Sequence, residues 1–194
     1  MSISLAPALL LSMPQLVDPN FKRTVILLCK HSEEGAFGLV VNRPLVTAGR
    51  VVVNLEQVSG EARRSASHEM VKEDLEVWVG GPVEPERSWI LVHGAVEGAQ
   101  DSGMRVAEGV SLSTSPELLR RLLAPNPPRD ARLMVGYSGW GPGQLEAELE
   151  ASAWLIGEVD CDLIFNTSAD RMWETAIRRL GADPATLQMS RGVH

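Results

Sequence analysis

The chain has 194 residues, 44% of them hydrophobic and 22% charged, with a formal net charge of −7. That length suits one domain burying roughly 70% of its unfolded surface, and the balance excludes a disordered or fibrous chain. The acidic excess argues against a coat on a nucleic-acid backbone, since phosphate contacts need a cationic face; Arg63-Arg64, Arg120-Arg121 and Arg178-Arg179 read as solvated edges.

The apolar opening run, 5–11, has no basic residue before it, is interrupted by proline and is too short to cross a bilayer, so a soluble cytoplasmic protein without membrane contact is expected. Residues 23–30 and 36–42 are apolar, β-branched runs around Ser32-Glu33-Glu34-Gly35, which predicts a hairpin with a four- or five-residue loop. Arg43-Pro44 ends its second strand by removing the next amide donor. Within 45–74, Val51-Val52-Val53 suits a strand or a short helix, and 59–65 reads as an exposed, mobile loop. Residues 75–79 alternate as a strand and run into a sharp turn at Gly80-Gly81-Pro82-Val83, with 88–93 as the antiparallel partner. Residues 104–112 add two short strands around Glu108-Gly109.

Ser115-Pro116-Glu117 combines a capping serine, proline at the first helical position and an acid in the first turn, so a helix starts there with Leu118, Leu119, Leu122 and Leu123 on its apolar face. Residues 132–137 read as a strand, and 144–155 as a helix with Leu145, Leu149 and Ala153 on one stripe and Trp154 at its edge. A short strand at 162–165 and a last helix after Thr167-Ser168 follow; Met172, Trp173, Ala176, Ile177 and Leu180 face inward and Gly181 caps its end. Hairpin-paired strands with helices gathered late argue for α+β, one domain over 1–194.

Residues 135–146 crowd four glycines and a proline around Tyr137 and Trp140, backbone that ordinary side chains would forbid. Gly139-Trp140-Gly141-Pro142-Gly143-Gln144 imitates a dinucleotide fingerprint, but Gln144 replaces the third glycine and no second βαβ unit follows. Amides of Gly141, Gly143, Gln144 and Leu145 could converge on an anion, yet Glu146 and Glu148 already neutralise that helix end, so a structural loop is expected. The competing reading is a pliable lid with Trp140 as an exposed clamp. Ser138 is no nucleophile elbow, because Trp140 stands where the second glycine is required. The four histidines and the free thiols Cys29 and Cys161 lack metal-ligand spacing, so no metal, cofactor or catalytic set is expected.

Taken in order, Asp18-Pro19-Asn20-Phe21-Lys22-Arg23-Thr24, the run from His31 to Pro44, Gly80-Gly81-Pro82-Val83, Leu91-Val92-His93, the 136–146 stretch, Trp154 and Trp173 resemble the YqgE/AlgH family of bacterial proteins over nearly the whole chain. The resemblance implies one compact α+β domain with a mostly antiparallel, bent and partly barrel-like sheet flanked by helices. It implies no reaction, although some members carry the label of transcriptional regulator. Residues 45–74 depart from the family pattern as a variable, basic, serine-rich insertion. No helix-turn-helix, zinc finger or basic arm is present, so a non-enzymatic binding or regulatory protein is expected, acting through a protein partner or small ligand without direct sequence-specific nucleic-acid binding. The alternative is an enzyme or ligand sensor using polar turn residues. The candidates for binding are Asp18, Asn20, Arg23, His31, Asn42 and Arg43, with Trp140 and Gln144 of the glycine loop. Arg23 is expected to pair with Asp18 or to reach that loop.

Overall fold

The computed structural model describes residues 4–45, 51–53, 70–72, 76–94 and 103–189. The apolar runs at 25–40 form its first hairpin, β2 (Val25–Ser32) and β3 (Gly35–Val40). The turn between them is only Glu33-Glu34, tighter than expected, because Gly35 takes a φ of +131° that a side chain would resist. The opening run supplies β1 (Ala8–Ser12), whose five residues are all buried. It lies antiparallel to β2 on one side and to β11 (Trp154–Gly157) on the other. The other strands are β6 (Val77–Val79), β7 (Val83–His93), β8 (Gly103–Ala107), β9 (Val110–Ser113) and β10 (Ala131–Trp140).

These strands make a nine-stranded, curled sheet in the order β11-β1-β2-β3-β10-β7-β9-β8, with β6 also on β10. β4 (Val51–Val53) and β5 (Met70–Lys72) pair separately, which settles 51–53 as strand; 59–65 lies outside the described residues. Helices α1 (Pro116–Leu123), α2 (Gln144–Glu150), α3 (Cys161–Asn166), α4 (Ala169–Arg179) and α5 (Pro184–Met189) cover the sheet. The inner core joins Leu27, Leu39, Leu91 and Met134 to Leu163, Met172, Trp173 and Ile177 of α3 and α4. On the outer face, α2 packs through Leu145 on Leu10, Ile26, Leu28 and Val40, and α1 packs through Leu119, Leu122 and Leu123 on Val77, Ile90 and Leu133. This is the expected α+β architecture, antiparallel apart from β6.

Gly80-Gly81-Pro82 is not a hairpin turn. β6 and β7 do not pair; they flank β10, β6 running parallel to it and β7 antiparallel. The chain between them therefore crosses over β10. Gly80 donates its amide to the Val135 carbonyl at 2.8 Å, and its own carbonyl accepts from the Val40 amide at 2.8 Å and Ser138 Oγ at 3.2 Å. A Cβ on Gly81 would lie 2.3 Å from the Tyr137 carbonyl, and one on Gly136 would lie 2.4 Å from the Gly81 oxygen. Glycine on both strands lets the two backbones touch.

Three further expectations are corrected. The helix from Gln144 stops at Glu150, because Ser152 turns to φ +56°, and Trp154 belongs to β11. Leu145 and Ala153 share one packing cluster across that break, so periodicity could not reveal it. Residues 162–165 are helical: Asp160 caps α3 by accepting from the Leu163 amide at 3.0 Å, a choice that a short apolar run leaves open. Leu180 caps α4 and is 42% exposed, while Gly181 turns the chain at φ +78° as expected.

Candidate functional site

The polar residues of the first signature tie the 18–25 segment down. Asp18 Oδ1 accepts from the Asn20 amide at 2.8 Å, and the Asp18 carbonyl accepts from Phe21 and Lys22. Asn42 Oδ1 accepts from the Val25 amide at 2.9 Å, while its Nδ2 donates to the Arg23 carbonyl at 2.9 Å. Arg43 donates to the carbonyls of Pro19 and Lys22. Arg23 itself, at φ +54°, pairs with Glu174 at 2.8 Å and stacks 5.0 Å over Trp173, not with Asp18 or the glycine loop. The segment is thereby clamped between β3 and α4.

The glycine turn is equally self-contained. β10 runs on through Ser138 and Gly139 to Trp140, so the turn proper is Gly141 to Gly143, with Gly143 at φ +73° as the N-cap of α2. Gln144 Oε1 accepts the Gly141 amide at 3.0 Å, and Gln144 Nε2 donates to Glu148 Oε1 at 2.9 Å. The other Glu148 oxygen accepts both indole N–H groups, from Trp140 at 2.9 Å and Trp154 at 2.7 Å. Those rings meet edge to face at 6.1 Å, and Phe21 adds a second edge on Trp154 at 5.7 Å. Trp140 is only 6% exposed and cannot be an exposed clamp. His31 accepts from the Leu5 amide at Nδ1, 3.1 Å, so Nε2 carries the proton toward Glu146 Oε1 at 2.9 Å. The Glu146 carboxyl is held below its usual range first by its own backbone amide and then by His31. None of these side chains pairs with a nucleophile.

A different group of residues converges on the inner face of the sheet. A cleft of about 510 Å³ is lined by Lys30, Phe37, Arg87, Trp89, Gly103, Met104, Leu112, Ser113, Thr114 and Tyr137, drawn from β2, β3, β7, β8, β9, β10 and the end of β9. Phe37, Trp89 and Tyr137 form an aromatic cluster with centroids 4.9, 5.3 and 6.4 Å apart. Two ladder irregularities put residues there. In β2, Val25, Leu27 and Cys29 face the inner core, and a bulge between Leu28 and Lys30 brings Lys30 opposite Phe37 on that same side. In β10, Met134 faces inward; Gly136, at φ +69°, shifts the register, so that Tyr137 faces inward as well. Bulges often re-aim a side chain in this way beside functional sites. The sequence offered one sign, a glycine inside an apolar strand; the bulge at Cys29 left none.

The polar groups of this cleft are largely unspent. Trp89 Nε1 is buried without a hydrogen-bond partner. Arg87 lies 4.6 Å over the Trp89 ring and donates to Glu84 at 3.0 Å, both side chains being about half exposed. Among the described residues, Lys30 Nζ, Tyr137 Oη and Thr114 Oγ1 make no hydrogen bond. A second, open cleft of about 1030 Å³ between β1, β11, α3 and α4 has the opposite character: Glu108, Glu158, Asp160 and Asp162 line it. Arg179 donates to both Asp160 and Asp162, and with Asn166 it holds the Asp162 carboxyl below its usual range. No cluster of His, Cys, Asp and Glu among the described residues could hold a metal. Burial pushes the Cys29 thiol up to about 12, so it is no nucleophile near neutrality. No described helix is long and apolar enough to cross a membrane.

Comparison with known proteins matches the AlgH-like family model to residues 9–185. A UPF0301 protein of Myxococcus xanthus is 42% identical, the match covering 98% of this chain and 99% of that one. One from Anaeromyxobacter dehalogenans is 39% identical over 93% of this chain and 90% of its own. The solution structure of AlgH from Pseudomonas aeruginosa superposes with a TM-score of 0.69 at 31% identity, covering 100% of this chain and 97% of that one. A crystal structure from Corynebacterium diphtheriae, at 23% identity and a TM-score of 0.62, covers 97% of this chain and 92% of its own and shares the fold. The chain belongs to the AlgH-like family.

Proposed function

We propose that the protein is a non-enzymatic binding or regulatory protein of the cytoplasm, working through a small ligand that occupies the inner-face cleft. The observation that carries this reading is the contrast between spent and unspent polar groups. Asp18, Asn42, Arg43, Gln144 and His31 use their hydrogen bonds on the fold, whereas the cleft beside Trp89 keeps a buried indole N–H and the Lys30 ammonium without a partner. Its volume falls within the roughly 300–1,000 Å³ typical of small-molecule sites. Catalysis is disfavoured because no described residue of the lining is a His, Cys, Asp or Glu, and Lys30 makes no hydrogen bond to Ser113 or Thr114. Regulation by direct DNA readout is disfavoured by the net charge of −7.

Native mass spectrometry of protein purified under non-denaturing conditions tests the reading. A retained small molecule that is lost in Trp89→Ala, with the variant still folded, supports it. A molecule retained equally by that variant, or chemically converted during incubation with the protein, sinks it.

A further inference from the structure

We propose that the inner-face cleft takes a small planar aromatic anion, its ring against the wall formed by Phe37, Trp89 and Tyr137 and its carboxylate or phosphate held by Lys30 and Arg87. The inference rests on the ligand-binding reading above and gives it a chemical class.

The charge distribution supplies the first argument. The chain carries 25 acidic and 18 basic residues, yet among the described residues two cations and no carboxylate line this cleft. The acidic groups collect instead on the other cleft, at Glu108, Glu158, Asp160 and Asp162. A cationic ligand would meet Lys30 and Arg87 with like charge, whereas an anion is drawn in and then hydrogen-bonded by charged donors, the stronger kind of bond.

The two cations differ in how they are held. Lys30 reaches the inner face only through the bulge at Cys29 and makes no ion pair among the described residues. Arg87 is positioned over the Trp89 ring at 4.6 Å, and its bond to Glu84 joins two half-exposed side chains. Such surface pairs contribute little, so a ligand anion can replace Glu84 at small cost.

The walls supply the second argument. The three aromatic rings pack on one another at 4.9 to 6.4 Å and together line the cleft, an aromatic wall against which a flat ligand can stack. Tyr137 and Thr114, which line the cleft, carry hydroxyl donors with no protein acceptor among the described residues, so an oxygen-rich ligand would satisfy groups that a pure hydrocarbon would leave unpaired.

The test uses the full-length, ¹⁵N-labelled protein and follows the indole N–H signals by NMR, that of Trp89 being the one missing from Trp89→Phe. Two ring anions are titrated, adenosine monophosphate and indole-3-acetate, each beside its halves: adenosine and inorganic phosphate, indole and acetate. At least one ring anion should shift the Trp89 signal saturably, binding about tenfold or more tighter than either of its halves. Which one does so distinguishes phosphate from carboxylate. The double change Lys30→Gln with Arg87→Gln should reduce that affinity to the level of the neutral ring, and Glu84→Gln, which frees Arg87, should tighten it by about two- to fivefold.

A ring anion bound no better than its neutral ring overturns the inference, as does an advantage that survives the double change. If the neutral rings alone saturate the site, the aromatic-anion class falls while the ligand-binding reading stands. If no probe shifts the Trp89 signal, the inference falls, and native mass spectrometry decides separately whether the ligand-binding reading falls with it.

Discussion

The turns at 18–25 and 141–144 and the inner-face cleft sit on one sheet and spend their polar groups in opposite ways. In the turns, most polar side chains of the motif find a protein partner: Asn42 satisfies Val25 and Arg23, Arg43 satisfies Pro19 and Lys22, and one Glu148 carboxylate takes Trp140, Trp154 and Gln144, while the side chains of Asn20 and Lys22 make no hydrogen bond among the described residues. In the cleft, Trp89 Nε1 has none, and Arg87 has only an exposed carboxylate. Buried polar groups are normally paired, so unpaired ones mark strain or an external partner. The densest motif in the chain therefore describes how the fold closes, and the capacity to bind lies among residues that form no motif.

That comparison is most exposed at Trp154. It is 4% exposed, touches Phe21 and Trp140 edge to face, and bonds Glu148 at 2.7 Å. If the glycine turn is a rigid closure, Trp154→Ala should cost roughly 3–5 kcal/mol in urea unfolding, through lost burial and the cavity left behind. A loss below about 1 kcal/mol would mean that this corner is soft, and the lid reading would return. Gly136→Ala comes next. Its φ of +69° and the Gly81 oxygen 2.4 Å from the added Cβ force either strain or separation of the crossing backbones. We expect a loss of about 2–3 kcal/mol, together with a shifted Tyr137 signal in NMR spectra, because the same residue creates the register change that turns Tyr137 inward.

The hairpin, the cap at Ser115, the α4 stripe and the α+β class were legible because each is written in local sequence: period, capping chemistry or glycine after a helix. The crossing of β6 and β7 over β10 was not. Gly80-Gly81-Pro82 carries the same letters as a tight turn, and only the partner strand, some 55 residues later by the pairing of Gly81 with Gly136, distinguishes the two. Trp154 was misplaced for a related reason: its neighbours Leu145 and Ala153 pack in one cluster whether the helix continues or breaks at Ser152. The cleft was hidden by its bulges, since Lys30 in an unbroken strand shares the face of Ile26 and Leu28, on the outer side.

Asn42 sharpens the contrast at a smaller scale. Its amide satisfies one backbone donor and one backbone acceptor of the 23–25 segment, at 2.9 Å each. Asn42→Ala should cost about 1–2 kcal/mol, mostly from the Val25 amide left without an acceptor. Asn42→Asp keeps that acceptor but removes the donor to the Arg23 carbonyl, so it should recover part of the loss. Equal losses in the two variants would mean that the Arg23 carbonyl contact dominates and that the clamp is looser than its geometry implies.

The smallest expected effect is the one that separates the two regions most cleanly. Arg87 is 54% exposed on its side chain and Glu84 46%, and Lys30 makes no ion pair among the described residues. Neither cation closes a turn, fills the core or caps a helix. Lys30→Gln and Arg87→Gln should therefore change unfolding free energy by no more than ~0.5 kcal/mol, the range of ordinary surface substitutions. The direction is informative as well. The two cations line the same cleft, but Arg87 also pairs with Glu84 and stacks on Trp89, so only Lys30→Gln is expected to gain slightly in stability at low salt, an effect that fades as salt is added. A cation that adds nothing to folding is free to serve binding, which is the trade-off that functional sites commonly show. A loss of more than about 1 kcal/mol on changing either cation would instead make Lys30 and Arg87 part of the scaffold, and the distinction between spent and unspent groups would collapse at the cleft itself.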